Sequence, residues 1–153
     1  MNIVLLEPEI PSNTGNIGRT CLLTNSKLHL IEPLGFSMDD KSLKRAGLDY
    51  WCDVDVKTYE SLEELYQTYS YGNFYYATTK TDQKYTDINF KEDDFIIFGK
   101  ESKGIPEEVL NKNSDYCIKI PMKPIGRSLN LANSVAIILY EAIRQFNFSG
   151  LEI

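Results

Sequence analysis

Short runs of consecutive apolar residues alternate along this chain with longer stretches in which apolar positions recur every three to four residues. The runs at 3–6, 28–31, 54–58, 74–78, 95–98 and 117–120 read as strands. Several are unbroken, the character of strands covered on both faces. Helical spacing predicts helices over 14–24, 39–46, 61–69, 106–111 and 129–146. In the second of these, Asp39 and Asp40 precede Lys41, Lys44 and Arg45, the order a helix dipole favours. Alternation of this kind predicts an α/β fold, a mainly parallel sheet flanked by helices. No internal repeat, low-complexity tract or linker breaks it, so residues 1–153 are predicted to form one domain.

Composition narrows the class without changing the fold. A chain of 153 residues, 42% apolar and 25% charged, is that of an ordinary soluble protein. Its size suffices to bury roughly 70% of the unfolded surface. No apolar run reaches the roughly 20 residues that span a bilayer, so no membrane partner is expected. The opening Met1-Asn2-Ile3-Val4-Leu5-Leu6-Glu7 has neither a basic leader nor a cleavage site and reads as the first strand. Cys21, Cys52 and Cys117 are odd in number, far apart and without metal-ligand spacing. They predict buried, reduced thiols and a cytoplasmic setting. His29 is the only histidine and sits in a strand pattern. A zinc site or a Ser-His-Asp triad therefore has little to be built from, and no metal is expected.

The net charge of −6 argues mildly against nucleic acid, whose binding normally leaves a basic footprint. The charge is uneven, however. Acids gather at Glu60, Glu63 and Glu64 and at Glu92, Asp93 and Asp94. From Tyr116 to Tyr140 there are none, while Lys119, Lys123 and Arg127 supply three positive charges. A local basic surface is compatible with the acidic whole.

Functional loops in parallel sheets lie past the carboxyl ends of strands, and three such exits carry unusual chemistry. In the first, Asn13-Thr14-Gly15-Asn16-Ile17-Gly18-Arg19 admits two readings. Asn13 and Thr14 suit a helix cap, leaving Arg19 solvated; or Asn16 and Arg19 face a phosphate or sugar, which guanidinium geometry suits. In the second, Gly99-Lys100-Glu101-Ser102-Lys103-Gly104 is not a phosphate loop, because Ile105-Pro106 follow where Lys and Ser/Thr are required. It is either a tight turn with a solvated tip or a place where a glycine lets a ligand reach backbone, ahead of a proline suited to a helix's first turn. In the third, a Pro/Gly-punctuated loop carrying Arg127 and Ser128 feeds a nearly all-apolar helix. There Ser128 either caps a core helix or, with Arg127, faces a substrate. Tyr140, three turns in, needs a hydroxyl partner if buried.

Taken together, in order and spacing, these three segments resemble the three motifs of the SPOUT RNA 2′-O-ribose methyltransferases. The third runs from Ile120-Pro121-Met122 through Arg127-Ser128-Leu129-Asn130-Leu131-Ala132-Asn133-Ser134. Residues 2–11 and 31–50 resemble the short TrmL-type (YibK-like) branch, which consists of the catalytic domain alone and methylates the wobble ribose of certain leucine tRNAs. The resemblance implies a C-terminal trefoil knot over about 74–147, S-adenosylmethionine as cofactor, and a homodimer whose sites are completed across the interface. By motif position it implies cofactor contacts at Ala77, Thr78, Thr79, Gly99, Glu101, Ile120, Met122, Ser128 and Leu129. It implies catalytic roles for Asn16, Arg19, Arg127, Ser128 and Tyr140, and RNA contacts at Lys123, Arg127 and Asn130. Ala77 stands where relatives carry a larger apolar residue, so contacts there are expected to be mostly backbone. A chain with no added RNA-binding domain favours a small accessible target, the tRNA anticodon loop. A methyltransferase acting on another tRNA position or on rRNA would share all three motifs, and a non-catalytic RNA-binding dimer would keep the core helix without binding the cofactor.

Overall fold

Apolar runs and helical faces meet in a computed structural model that describes residues 1–46 and 48–152. Gly47, inside the stretch that resembles the short branch, and Ile153 lie outside them. Six strands form one sheet in the order β3-β2-β1-β5-β4-β6, every pair parallel. They are β1 (Asn2–Leu6), β2 (Lys27–Ile31), β3 (Val56–Tyr59), β4 (Phe74–Ala77), β5 (Phe95–Phe98) and β6 (Cys117–Ile118). Helices α1 (Pro11–Leu23), α2 (Lys41–Ala46), α3 (Leu62–Thr68), α4 (Glu107–Lys112) and α5 (Leu131–Gln145) connect or follow them.

The pleat explains why β1 and β5 have no polar side. Successive side chains point to opposite faces, and each face has its own core. Ile3 and Leu5 join Ile17 and Cys21 of α1 and Val135, Ile138, Leu139 and Ala142 of α5. Val4 and Leu6 join Leu62 and Leu65 of α3 and Leu110 of α4. The molecule is thus a helix–sheet–helix sandwich, with α1 and α5 together on one face. His29 is a core residue: its ring nitrogens meet the Tyr59 hydroxyl at 3.0 Å and Asn2 Oδ1 at 3.1 Å. Burial, then the nearby Lys57 charge, lowers its pKa to about 4.

Several boundaries differ from the sequence pattern, for local reasons. Residue 54 was expected to start a strand, but the Val54 amide donates to Trp51 O at 3.3 Å and closes a 3₁₀ turn, so β3 begins at Val56. The last strand was expected to reach residue 120, but Lys119 pairs with the 83–85 turn instead of β4. Helix α1 starts three residues early because Pro11 occupies its first turn. Its N-cap is Ile10, with no side-chain cap of its own, so Asn13 and Thr14 are not caps. Pro106 is the N-cap of α4, one position before the turn it was expected to occupy. Asn130, not Ser128, caps α5, its Oδ1 accepting from the amides of Ala132 at 2.9 Å and Asn133 at 3.3 Å. Cys21 and Cys117 are buried but Cys52 is exposed. Helix α5 is not buried all round: Asn133, Ile137, Tyr140 and Arg144 form an outward stripe. Among the described residues no helix is long and apolar enough to cross a membrane, and no group of three potential metal ligands occurs.

Candidate active site at the carboxyl edge of the sheet

The strand order turns back on itself at β1 and β5, and ligands in parallel sheets bind beyond such a point. Here a cavity of about 420 Å³ opens past the ends of β1, β5, β4 and β6. Ile10 and Asn13 line it from the first exit, residues 77–80 from β4, 98–105 from β5, and Ile120, Met122 and 128–131 from the last loop. Ile138 of α5 closes the inner wall.

The loops around it are fastened to each other by side chains far apart in sequence. Glu101 holds the chain just ahead of α1. Its carboxylate receives the amides of Glu9 at 2.8 Å and Ile10 at 3.1 Å, and Asn13 Nδ2 at 3.2 Å. The exchange is reciprocal: Glu9 accepts the Ser102 amide at 2.9 Å and the Ser102 hydroxyl at 2.8 Å. Those two bonds hold the Glu9 carboxyl below the usual range. Lys100 pairs with Glu7, which raises the lysine's pKa. Asn13 carries the junction onward, its Oδ1 accepting from Asn130 Nδ2 at 3.0 Å. A single chain, Glu101–Asn13–Asn130, therefore ties all three motif loops and ends in the cap of α5.

Gly99 allows this closure. A Cβ there would lie 2.1 Å from the carbonyl carbon of Gly104 and 2.2 Å from the Ile105 nitrogen. The turn bends back through Gly104 at φ +69°, whose amide donates to Lys100 O at 2.8 Å. Only glycine fits at position 99.

The cavity brings together Ala77, Thr78, Thr79, Gly99, Glu101, Ile120, Met122, Ser128 and Leu129, with Asn130 beside them. The carboxylate of Glu101 is engaged by the first loop, so what it offers a ligand is mainly its backbone. Asn130 is not a free RNA-facing amide, because its side chain caps α5 and holds Asn13. Asn16, Arg19, Lys123, Arg127 and Tyr140 do not line the cavity. Asn16 and Arg19 lie on the exposed side of α1, and Lys123 and Arg127 on the exposed loop before α5. Tyr140 is 46% exposed, so its hydroxyl needs no protein partner. Asn13 was read from sequence only as a cap, and its bridging role had no local signal.

Charge around the opening is partly cancelled. Lys80 pairs with Glu107 at 2.6 Å and Lys119 with Asp82 at 3.0 Å. Arg19, Lys103, Lys123 and Arg127 make no ion pair among the described residues. Of these only Lys103 lines the cavity, while Lys123 and Arg127 are sequence neighbours of its lining residues Met122 and Ser128.

A parallel sheet with its ligand cavity at the reversal point, walled by these three loops, matches one family over most of its length. The chain belongs to the SpoU rRNA Methylase family, whose profile matches residues 1–140. A Bacillus subtilis (strain 168) relative, provisionally named a tRNA (cytidine(34)-2′-O)-methyltransferase, is 50% identical over 99% of this chain and 97% of its own. A Methylovorus glucosotrophus (strain SIP3-4) relative named tRNA (cytidine(34)-2′-O)-methyltransferase is 45% identical over 97% of each chain. A solved structure described as giving insights into 2-OH methylation of C/U34 on tRNA superposes with TM-score 0.89 and 40% identity, covering 95% of each chain.

Proposed function

We propose that this protein transfers a methyl group from S-adenosylmethionine to the 2′-hydroxyl of the ribose at nucleotide 34, the wobble position, of tRNA, with leucine tRNAs as substrates. The observation that carries this reading is the convergence of all nine candidate cofactor residues on one cavity. The donor set fits the cofactor. About 420 Å³ lies within the range of small-ligand sites, and its walls combine apolar side chains with backbone edges. Ala77, Ile120, Met122, Leu129 and Ile138 suit an adenine and a thioether-like stem, and the backbone at 78–79 and 99–101 suits the base edge and ribose. Bound S-adenosylmethionine supplies a methyl group already activated on a sulfonium.

The protein's own task is then alignment of the 2′-hydroxyl and handling of one proton. Alignment alone removes about 7–11 kcal/mol of barrier in the best cases. His29 takes no part, since it is buried in the sheet core. Arginine stays protonated and is a poor base. We assign to Arg19 the support of the developing alkoxide or of the adjacent phosphate, and to Arg127 and Lys123 the positioning of RNA. Ser128, at the cavity wall, faces the reacting ribose. Asn130 acts by fixing the start of α5.

Asn16, Arg19 and Tyr140 stand outside the cavity on the exposed sides of α1 and α5. The exposed apolar Leu23 and Ile137 lie on the same helices. This supports a homodimer in which one copy's helices complete the other's site. The chain after β4 is proposed to close as a trefoil knot over about 74–147, within a single domain of residues 1–153, and the protein to work in the cytoplasm. A second reading is action on another tRNA position or on rRNA; the family description favours the rRNA alternative.

Incubation with radiolabelled cofactor and total tRNA, followed by nucleoside mapping, tests the assignment. A 2′-O-methylated nucleoside at position 34 is expected. Label at another nucleotide, or only in rRNA, overturns the position; no transfer to any RNA overturns the activity.

A further inference from the structure

Lys103 and Ile125 stand in two of the loops that wall the cavity. Lys103 lines the cavity from the turn after β5. Ile125 belongs to the loop after β6, whose Met122, Ser128 and Leu129 line another wall. Only β4 separates β5 from β6 in the sheet. The two loops therefore rise from strands two spacings apart, about 10 Å, with the exit of β4 between them.

Among the described residues, Lys103 forms no ion pair and Ile125 is not packed against either apolar core. Ile125 is 80% exposed, more than any other large apolar side chain described. Its amide donates to Lys123 O at 2.8 Å, and Gly126 follows at φ +85°. The backbone folds sharply there, with Lys123 and Arg127 two positions away on either side. Lys80, Lys100 and Lys119 are each paired with an acid, whereas Lys103 forms no ion pair among the described residues. Its charge makes only a minor contribution to lowering the Glu9 carboxyl, which Ser102 already holds.

A cation on one wall, and on the other an apolar tip flanked in sequence by Lys123 and Arg127, match a single nucleic-acid strand. Its phosphates run in a line, and its unpaired bases are free to turn out and present a face. A duplex offers no such face to Ile125. We infer that Lys103 and Ile125 clamp the RNA strand on either side of the target ribose, Lys103 through a backbone phosphate and Ile125 through the face of a nucleobase. This inference rests on the RNA methyltransferase reading above.

The two contacts answer salt differently, which makes them separable. Affinity of the whole protein for a tRNA anticodon stem–loop is measured by titration over about 50 to about 200 mM salt. In Lys103→Ala the log–log salt slope becomes shallower by about 0.7, the value for one lost single-strand phosphate contact. In Ile125→Ser the affinity falls about fivefold, a partial loss of apolar burial, with the slope unchanged. S-adenosylmethionine affinity, read by calorimetry, stays at the wild-type value in both variants. Wild-type slope in Lys103→Ala, or wild-type affinity in Ile125→Ser, overturns the clamp. A drop in cofactor affinity in Lys103→Ala assigns that lysine to the cofactor and overturns it as well. So does a shift of Ile125→Ser toward monomer in sedimentation, which puts Ile125 between copies. Wild type that binds the stem–loop yet methylates no RNA refutes the proposed activity, while the clamp is still read from the two titrations.

Discussion

Replacing Glu101 with alanine unfastens the loops around the cavity from one position. The amides of Glu9 and Ile10 lose acceptors at 2.8 and 3.1 Å, and Asn13 loses one at 3.2 Å. Hydrogen bonds to a charged group contribute about 1.5–3 kcal/mol each when sheltered. Water reaches this site, so the loss is nearer to that of a helix cap plus one further bond, about 2–3 kcal/mol. For a domain of this size that corresponds to a Tm lower by about 4–12 °C. Urea unfolding at one fixed protein concentration is the assay, because the midpoint of an oligomer moves with concentration. The midpoint should fall with the slope m unchanged. The decisive comparison adds Asn13→Ala, which removes the same bond from the other side. The double variant should lose less than the sum of the single losses, by at least about 0.5 kcal/mol. Additive losses, or a wild-type midpoint for Glu101→Ala, would refute the idea that one carboxylate organises the first loop.

Three further outcomes follow from the same structure. Gly99→Ala forces a Cβ within 2.2 Å of two backbone atoms; it should cost about 3 kcal/mol or more and abolish cofactor binding, read by thermal melting and calorimetry. His29 is held neutral, with its pKa lowered from 6.5 to about 4 by burial, so its contribution is complete above the unfolded value and is lost as pH falls from about 6.5 towards about 4. The total is about 3 kcal/mol, and His29→Gln should flatten that part of a stability-versus-pH curve. Arg19→Lys keeps the charge but not the fork of donors, so single-turnover methylation should slow by about a hundredfold across the pH–rate profile; full activity would remove the bidentate role.

The core was legible where each residue carried its own evidence. Ile3 and Leu5 against Val4 and Leu6 announce a strand covered on both faces, and the structure has a separate core on each. Strand ends were not, because they depend on partners: Lys119 looks like strand but bonds to the 83–85 turn. The same limit governed the caps. Ser128, Asn13 and Thr14 have the right chemistry for capping, yet Asn130 caps α5, and α1 has no side-chain cap while the distant Glu101 holds the amides just ahead of it. Glu101 is 91 positions from the Ile10 amide it receives, and no local pattern conveys that. The cofactor candidates gathered in one cavity because they lie at the ends of β4, β5 and β6 or in the loop that runs from β6 to α5. Asn16, Arg19 and Tyr140 lie on helix faces whose direction is decided by packing, and the motif alone did not say that they point away from it.

The carboxylates exchanged between the first and second loops bear on how such sequences recombine. Glu7 with Lys100, Glu9 with Ser102, and Glu101 with Asn13 are three matched pairs, each joining an early residue to one near position 100. A crossover anywhere between residues 13 and 100 would inherit one member of every pair from each parent. Chimeras with relatives that use other pairings there should fold their cores, since Ile3–Leu6 and Phe95–Phe98 interchange with similar strands, yet assemble a slack cavity. Exchanging residues 7–13 and 100–102 as one block should restore it.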